Sequence, residues 1–191
     1  MREKSHARDQ IVGTASRLFF SQGYHATGLN QIIKESDAPK GSLYYYFPNG
    51  KEELALVCIE QHKLFVHSRI REHFAVAANF IDGMQALIHE FADEVILNDY
   101  QSFAPSGFWN AVETSCISDR LRIACQSSFA EWKAVIVEQL REEDYEEDRA
   151  EEISTGMISL MEGSFVLALT YRDVSPLITA AKLVPLIARN K

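Results

Sequence analysis

The chain has 191 residues, of which 47% are hydrophobic and 24% charged, and a net charge of −8; it is long enough to bury a real core and too apolar for a disordered chain. No run approaches the roughly 18 uninterrupted apolar residues of a membrane span, and Met1 to Asp9 is charged rather than a secretory leader, so the reading is a cytoplasmic globular protein. The charge is unevenly spread: residues 1–51 hold seven Lys/Arg against four Asp/Glu, a net +3, while the other 140 residues hold 12 against 23, a net −11. A basic head on an acidic body suits a head that meets phosphate and a body that does not.

In chain order, Ile11, Ala15, Leu18 and Phe19 form one apolar stripe on a helix from Ser5 to Gln22, stopped by Gly23. Thr27 is a candidate N-cap for a short second helix carrying Leu29, Ile32 and Ile33 and ending near Ser36. Pro39 suits the first turn of a third short helix through Lys40, Gly41, Ser42, Leu43, Tyr44 and Tyr45, closed by Pro48. Asn49 and Glu52 have capping-box spacing ahead of a long fourth helix to about Phe74. Five more helices are expected, at about Phe80–Asn98, Ser106–Glu113, Asp119–Glu142, Glu146–Tyr171 and Pro176–Ala188, giving an all-α chain of about nine helices.

Two short helices joined by the tight turn Glu35-Ser36-Asp37-Ala38 and braced by the first helix form a helix-turn-helix. Such a second helix can enter the major groove while helix N-termini and basic side chains meet the flanking phosphates. The segments Gly23 to Ile32, Ala38 to Phe47 and Lys51 to Leu54 resemble the DNA-binding domain of the TetR family of bacterial transcription regulators, over about the first 60 residues. Within that family the Thr-Gly-Leu-Asn-Gln and Phe-Pro-Asn-Gly-Lys-Glu-Glu stretches resemble the LmrA/YxaF-like subgroup.

The resemblance implies that Thr27 meets a phosphate, that Lys40, Gly41, Ser42 and Tyr44 lie on the groove-facing helix, and that Tyr45, Tyr46 and Lys51 meet the backbone. Asp37 stands where the family usually has Gly, and Asp tolerates the left-handed backbone expected there. Three consecutive tyrosines span about 200° of helix surface, so one of them packs inward. The expected division is a DNA-binding domain at 1–51, a linker helix at about 50–74 and an effector-binding and dimerisation domain at 75–191.

A head of this size reads too few base pairs alone, so a homodimer on a palindromic double-stranded operator is the geometric expectation. Met157, Leu160, Met161 and Phe165 are the candidate interface, where the family forms a four-helix bundle from its last two helices. Met84, His89, Phe108, Trp109, Glu113, Phe129 and Trp132 are the candidate effector contacts, apolar walls with a few polar groups. The subgroup resemblance implies a planar aromatic, drug-like or flavonoid-like effector that releases a repressor.

No H-E-x-x-H, G-x-S-x-G, P-loop or dinucleotide motif occurs, so no enzyme activity, cofactor or metal is expected. The six histidines are scattered, and Cys58, Cys116 and Cys125 are widely spaced and read as buried thiols. The alternatives are a helical interaction protein without DNA binding, favoured only by the net acidity, and an activator of the same fold.

Overall fold

In a computed structural model, which describes residues 2–100, 113 and 118–189 and the side chains from residue 6 onward, the chain is all-helical as expected, with no strand among the described residues. The helices are α1 (Arg2–Gln22), α2 (Leu29–Glu35), α3 (Lys40–Tyr46), α4 (Lys51–Val76), α5 (Phe80–Leu97), α6 (Asp119–Glu142), α7 (Glu147–Tyr171) and α8 (Ser175–Ile187). The helix expected at Ser106–Glu113 lies outside the described residues except for Glu113 itself, as do Phe108 and Trp109.

The chain divides into two compact units, residues 1–62 with 107–126, and residues 63–106 with 127–191. The first is built on the stripe of α1: Ile11, Val12, Ala15, Leu18 and Phe19 pack with Ile32 of α2, Leu43 and Phe47 of α3, and Leu54, Ala55, Cys58 and Ile59 of α4. Leu121 and Cys125 of α6 belong to the same core. The expected linker at 50–74 is therefore divided between two cores, because the first three turns of α4 bury apolar side chains in the head. The thiols of Cys58 and Cys125 are buried, as read from the sequence, and Cys116 lies outside the described residues.

In the second unit α8 packs against α5 and α7. Phe80, Met84, Leu87, Ile88, Phe91 and Val95 of α5 and Leu177, Ala180, Ala181 and Val184 of α8 are buried. Asn79 caps α5, its side chain accepting from Asp82 N at 3.0 Å.

Capping differs from expectation at two helix starts. Gly28, not Thr27, is the N-cap of α2, and no side chain caps it. At the start of α4 the Asn49 N–H donates to Glu53 Oε2 at 2.9 Å, so Glu53 fills the role expected of Glu52. Glu52 instead faces α6, where it accepts from Ser118 Oγ and from Arg120 Nη1 at 3.0 Å.

Close packing in the second unit is sharpest at Gly83, where an added Cβ would lie 2.6 Å from Phe74 Cδ1 and 3.1 Å from Ala77 Cβ. Gly83→Ala is expected to destabilise the protein by about 1–3 kcal/mol through overpacking, although Ala is the better helix former by about 1 kcal/mol. Thermal melts followed by circular dichroism check this, and an unchanged midpoint would mean that the Phe74 ring yields without cost.

Candidate nucleic-acid interface

The turn before α3 is set by Asp37, whose φ of +54° is the left-handed geometry expected there. Ser36 Oγ accepts from Ala38 N at 3.4 Å, Ala38 is buried, and Pro39 becomes the N-cap of α3. Leu43 and Phe47 are fully buried, so the opposite face of α3 is turned out. Lys40 and Gly41 are exposed and Ser42 half-buried. Tyr44 and Tyr45 are 48% and 69% exposed. Tyr46 is the inward tyrosine, packed on the head core with its ring edge-on to Tyr45 at 4.9 Å.

Thr27 does not sit as expected. It has no exposed surface: its hydroxyl donates to Gly23 O at 2.7 Å and accepts from Gln22 Nε2 at 3.2 Å. A phosphate cannot reach it in this conformation, and its role is to hold the α1–α2 turn closed. The Gln22 amide also bonds Gln31 at 2.7 Å, and Gln31 bonds Glu35 at 2.9 Å. Arg17 closes the chain on Glu35 at 2.7 Å and, as hydrogen-bond donor, holds that carboxyl below its usual range. These polar links orient α2 on α1.

Lys51 is half-buried, with Nζ 4.3 Å from the Tyr24 ring centroid and 3.4 Å from His25 O. Desolvation lowers its pKa, against the pull of Glu113 in the other direction. Its ammonium is thus engaged inside the head rather than held out toward solvent.

Glu113, expected among the effector contacts, belongs to the head. Its Oε2 accepts from Tyr24 N at 2.7 Å and its Oε1 from His25 N at 2.8 Å. Both backbone donors follow Gly23, whose φ of +86° favours glycine, and an added Cβ there would lie 2.8 Å from Oε2 and push the carboxylate aside. The two N–H groups belong to no helix, so the carboxylate satisfies donors that the turn leaves open.

A family model described as "Bacterial regulatory proteins, tetR family" matches residues 11–58, and one described as "Transcriptional regulator LmrA/YxaF-like, C-terminal domain" matches residues 81–183. The chain is 40% identical over 191 residues to the HTH-type transcriptional regulator YxaF of Bacillus subtilis, covering 100% of each. It is also 40% identical over 179 residues to the HTH-type transcriptional regulator LmrA of the same organism, covering 94% of this chain and 95% of that one. The chain belongs to the TetR family. The fold agrees: the regulatory protein TetR from Rhodobacter sphaeroides superposes with a TM-score of 0.84 at 17% identity, over 95% of this chain and 98% of that one. Escherichia coli NemR in its reduced form gives 0.81 at 22%, over 95% and 96%. This TetR-family member is a DNA-binding transcriptional regulator.

The LmrA/YxaF-like part of this TetR-family chain holds a small apolar cavity of about 30 Å³ within the second unit. Of the expected effector contacts, Met84 and Trp132 line it. Phe129 does not, although it meets Trp132 edge-on at 5.4 Å, and His89 is exposed because it lies on the solvent face of α5. Sequence reading missed Glu162, the one ionisable residue among the described lining residues.

The expected dimer contacts also divide. Met157 and Phe165 are 0% and 2% exposed within one chain, Phe165 packing on Phe91 at 5.8 Å. Their side chains are already spent on the protomer's own core and cannot form an interface. Met161 lines the cavity, and Leu160 is half-buried.

Replacing Glu113 removes both acceptors from the Tyr24 and His25 amides. Glu113→Ala is expected to lower stability by about 1–2 kcal/mol, with Glu113→Gln intermediate because it keeps one carbonyl acceptor. Denaturant titration measures both, and equal stability of all three proteins would rule out the turn contact.

Proposed function

We propose that the protein is a homodimeric repressor that binds a palindromic operator through α3 and is released by a small apolar, aromatic effector held in the second unit. The observation that carries the DNA half of this reading is the outer face of α3. Lys40, Gly41, Tyr44 and Tyr45 project from a helix whose other side is locked into the head core. Lys40 supplies charge for phosphate or a guanine edge, and the two tyrosines supply hydroxyls and ring edges. Gly41 keeps the middle of the face low, so the helix axis can approach the bases. Repression follows from occupancy of a promoter-overlapping site, and the place of action is then the cytoplasm.

Dimerisation is assigned to α7 and α8. The most apolar 18-residue window of α7 has a mean hydropathy of 1.4, yet only 33% of it is buried in one chain. Its exposed positions Thr155, Ser159, Gly163, Leu167 and Tyr171 recur every four residues, which is the ridge used in close helix packing. An added Cβ at Gly163 would meet nothing within 4 Å, leaving a notch for a partner helix. Leu167, Tyr171 and, on α8, Leu186 are large and exposed. This row replaces Met157 and Phe165 as the proposed contact. The effector reading rests on the cavity lined by Met84 and Trp132. Its occupant would favour a dimer whose two α3 helices no longer match successive major grooves.

Fluorescence anisotropy with the DNA upstream of the protein's own gene tests the reading, and binding should weaken steeply with salt. Lys40→Ala and Tyr44→Ala are each expected to weaken binding about tenfold with unchanged melting. Gly41→Ala is the sharper variant, since an added Cβ meets no protein atom within 4 Å and Ala favours helix. It should leave stability equal or higher while operator affinity falls. Retained affinity in all three would remove α3 from the interface.

For the dimer, Leu167→Glu is expected to shift the sedimentation coefficient to that of a monomer and to lose operator binding with it. A Leu167→Glu dimer of wild-type strength would place the interface elsewhere.

A further inference from the structure

We infer that Arg8 is a further DNA contact: its guanidinium, carried by α1 and held at the C-terminal end of α3, binds a backbone phosphate of the operator. This rests on the proposed reading of DNA by α3 and adds a residue outside the segment 11–58 that the family model matches. Arg8 Cζ lies 5.8 Å from the centroid of the Phe47 ring, within the range of a cation over an aromatic face. Phe47 is the C-cap of α3 and is 1% exposed. A charged side chain from another helix is thereby tied to a fixed point at the end of α3.

The ring attracts the guanidinium through its quadrupole but does not neutralise it, so the positive charge remains to be answered. The Arg8 side chain keeps 40% of its surface exposed, and Asp9, its ion-pair partner, stands 4.0 Å away and is 63% exposed. An exposed pair at that separation is weak and screened by salt, so a phosphate can take its place. The planar fork of N–H donors on an arginine matches two phosphate oxygens at once.

The other basic side chains of the head show what Arg8 adds. Arg17 is closed on Glu35 at 2.7 Å, and the Lys51 ammonium lies against the Tyr24 ring and His25 O. Lys40, at the N-terminal end of α3, is exposed. With seven residues, α3 is about 10 Å long, and the major groove is about 12 Å wide. A cation at each end of such a helix suits the two phosphate backbones that border the groove, Lys40 toward one and Arg8 toward the other. Phosphate contacts fix register and orientation rather than read bases, so the contribution of Arg8 is the same on any sequence.

The test is fluorescence anisotropy of the full-length protein on two labelled duplexes, the DNA upstream of its own gene and a random sequence of equal length, across a salt series. Arg8→Gln keeps a polar stem beside Phe47 and removes the charge. It is expected to weaken binding to both duplexes about fivefold at low salt and to lower the slope of log affinity against log salt by about 0.9. Arg8→Lys should restore the slope. A residue that only positions α3 would lower affinity without changing the slope.

Unchanged affinity in Arg8→Gln, or a weakening that leaves the wild-type slope, would overturn the contact. Lys40→Ala in the same series separates this from the reading it rests on. Loss of affinity there with none in Arg8→Gln would strike Arg8 alone, and no loss in either would strike the α3 interface as well.

Discussion

A helix of seven residues has almost no stability of its own in water, because nucleation consumes what its few hydrogen bonds return. The exposed face of α3 therefore exists only because Leu43 and Phe47 are driven into the core that α1 supplies. Each such burial is worth about 1.5–3 kcal/mol, enough to hold the helix in one orientation. Once those two positions are fixed, the 3.6-residue period leaves Lys40, Gly41, Tyr44 and Tyr45 outside. The proposed DNA-reading surface is the complement of the packed one, and the left-handed backbone at Asp37 lets the chain turn sharply enough to present it.

The same economy governs the polar groups around the head. Thr27, Gln22, Gln31, Glu35 and Arg17 are all residue types able to contact DNA, yet each is bonded to a neighbour within the head. The groups this leaves for the proposed interface are fewer than a motif comparison suggests. A net charge of −8 is no obstacle to this, because screening over roughly 10 Å at physiological salt makes the local charge of the head matter more than the total.

Helix existence and extent were legible because apolar periodicity is a local property: α6 begins and ends at the residues expected, α5 and α7 differ by one residue at one end, and α8 by one residue at each end. The left-handed Asp37 was legible only through the family resemblance, which places Gly at that position. What could not be read was which of several apolar faces a helix turns to its own chain. Met157 and Phe165 belong to the same apolar helix as Leu167, and periodicity alone gives no sign that the first two are buried at home. Thr27 was misread because a cap and a turn-closing hydroxyl differ only in which carbonyl or amide lies nearby, and here that is Gly23 O, four residues back.

The two glutamates at the centre of the structural reading show why residue type alone does not assign a role. Glu113 was a candidate ligand contact because it follows aromatic residues in sequence, yet its carboxylate meets backbone N–H groups 88 and 89 positions away and stabilises a turn. Glu162 carried no signal, since one acid within an amphipathic helix reads as a solvated position. Its neighbours in space come from α4, α5 and α6 as well as α7, and they surround it with hydrocarbon and aromatic rings. A carboxylate facing N–H donors has its charge answered by the fold. Surroundings of this kind, visible only once the helices are assembled, are what turn the Glu113 carboxylate into a strut.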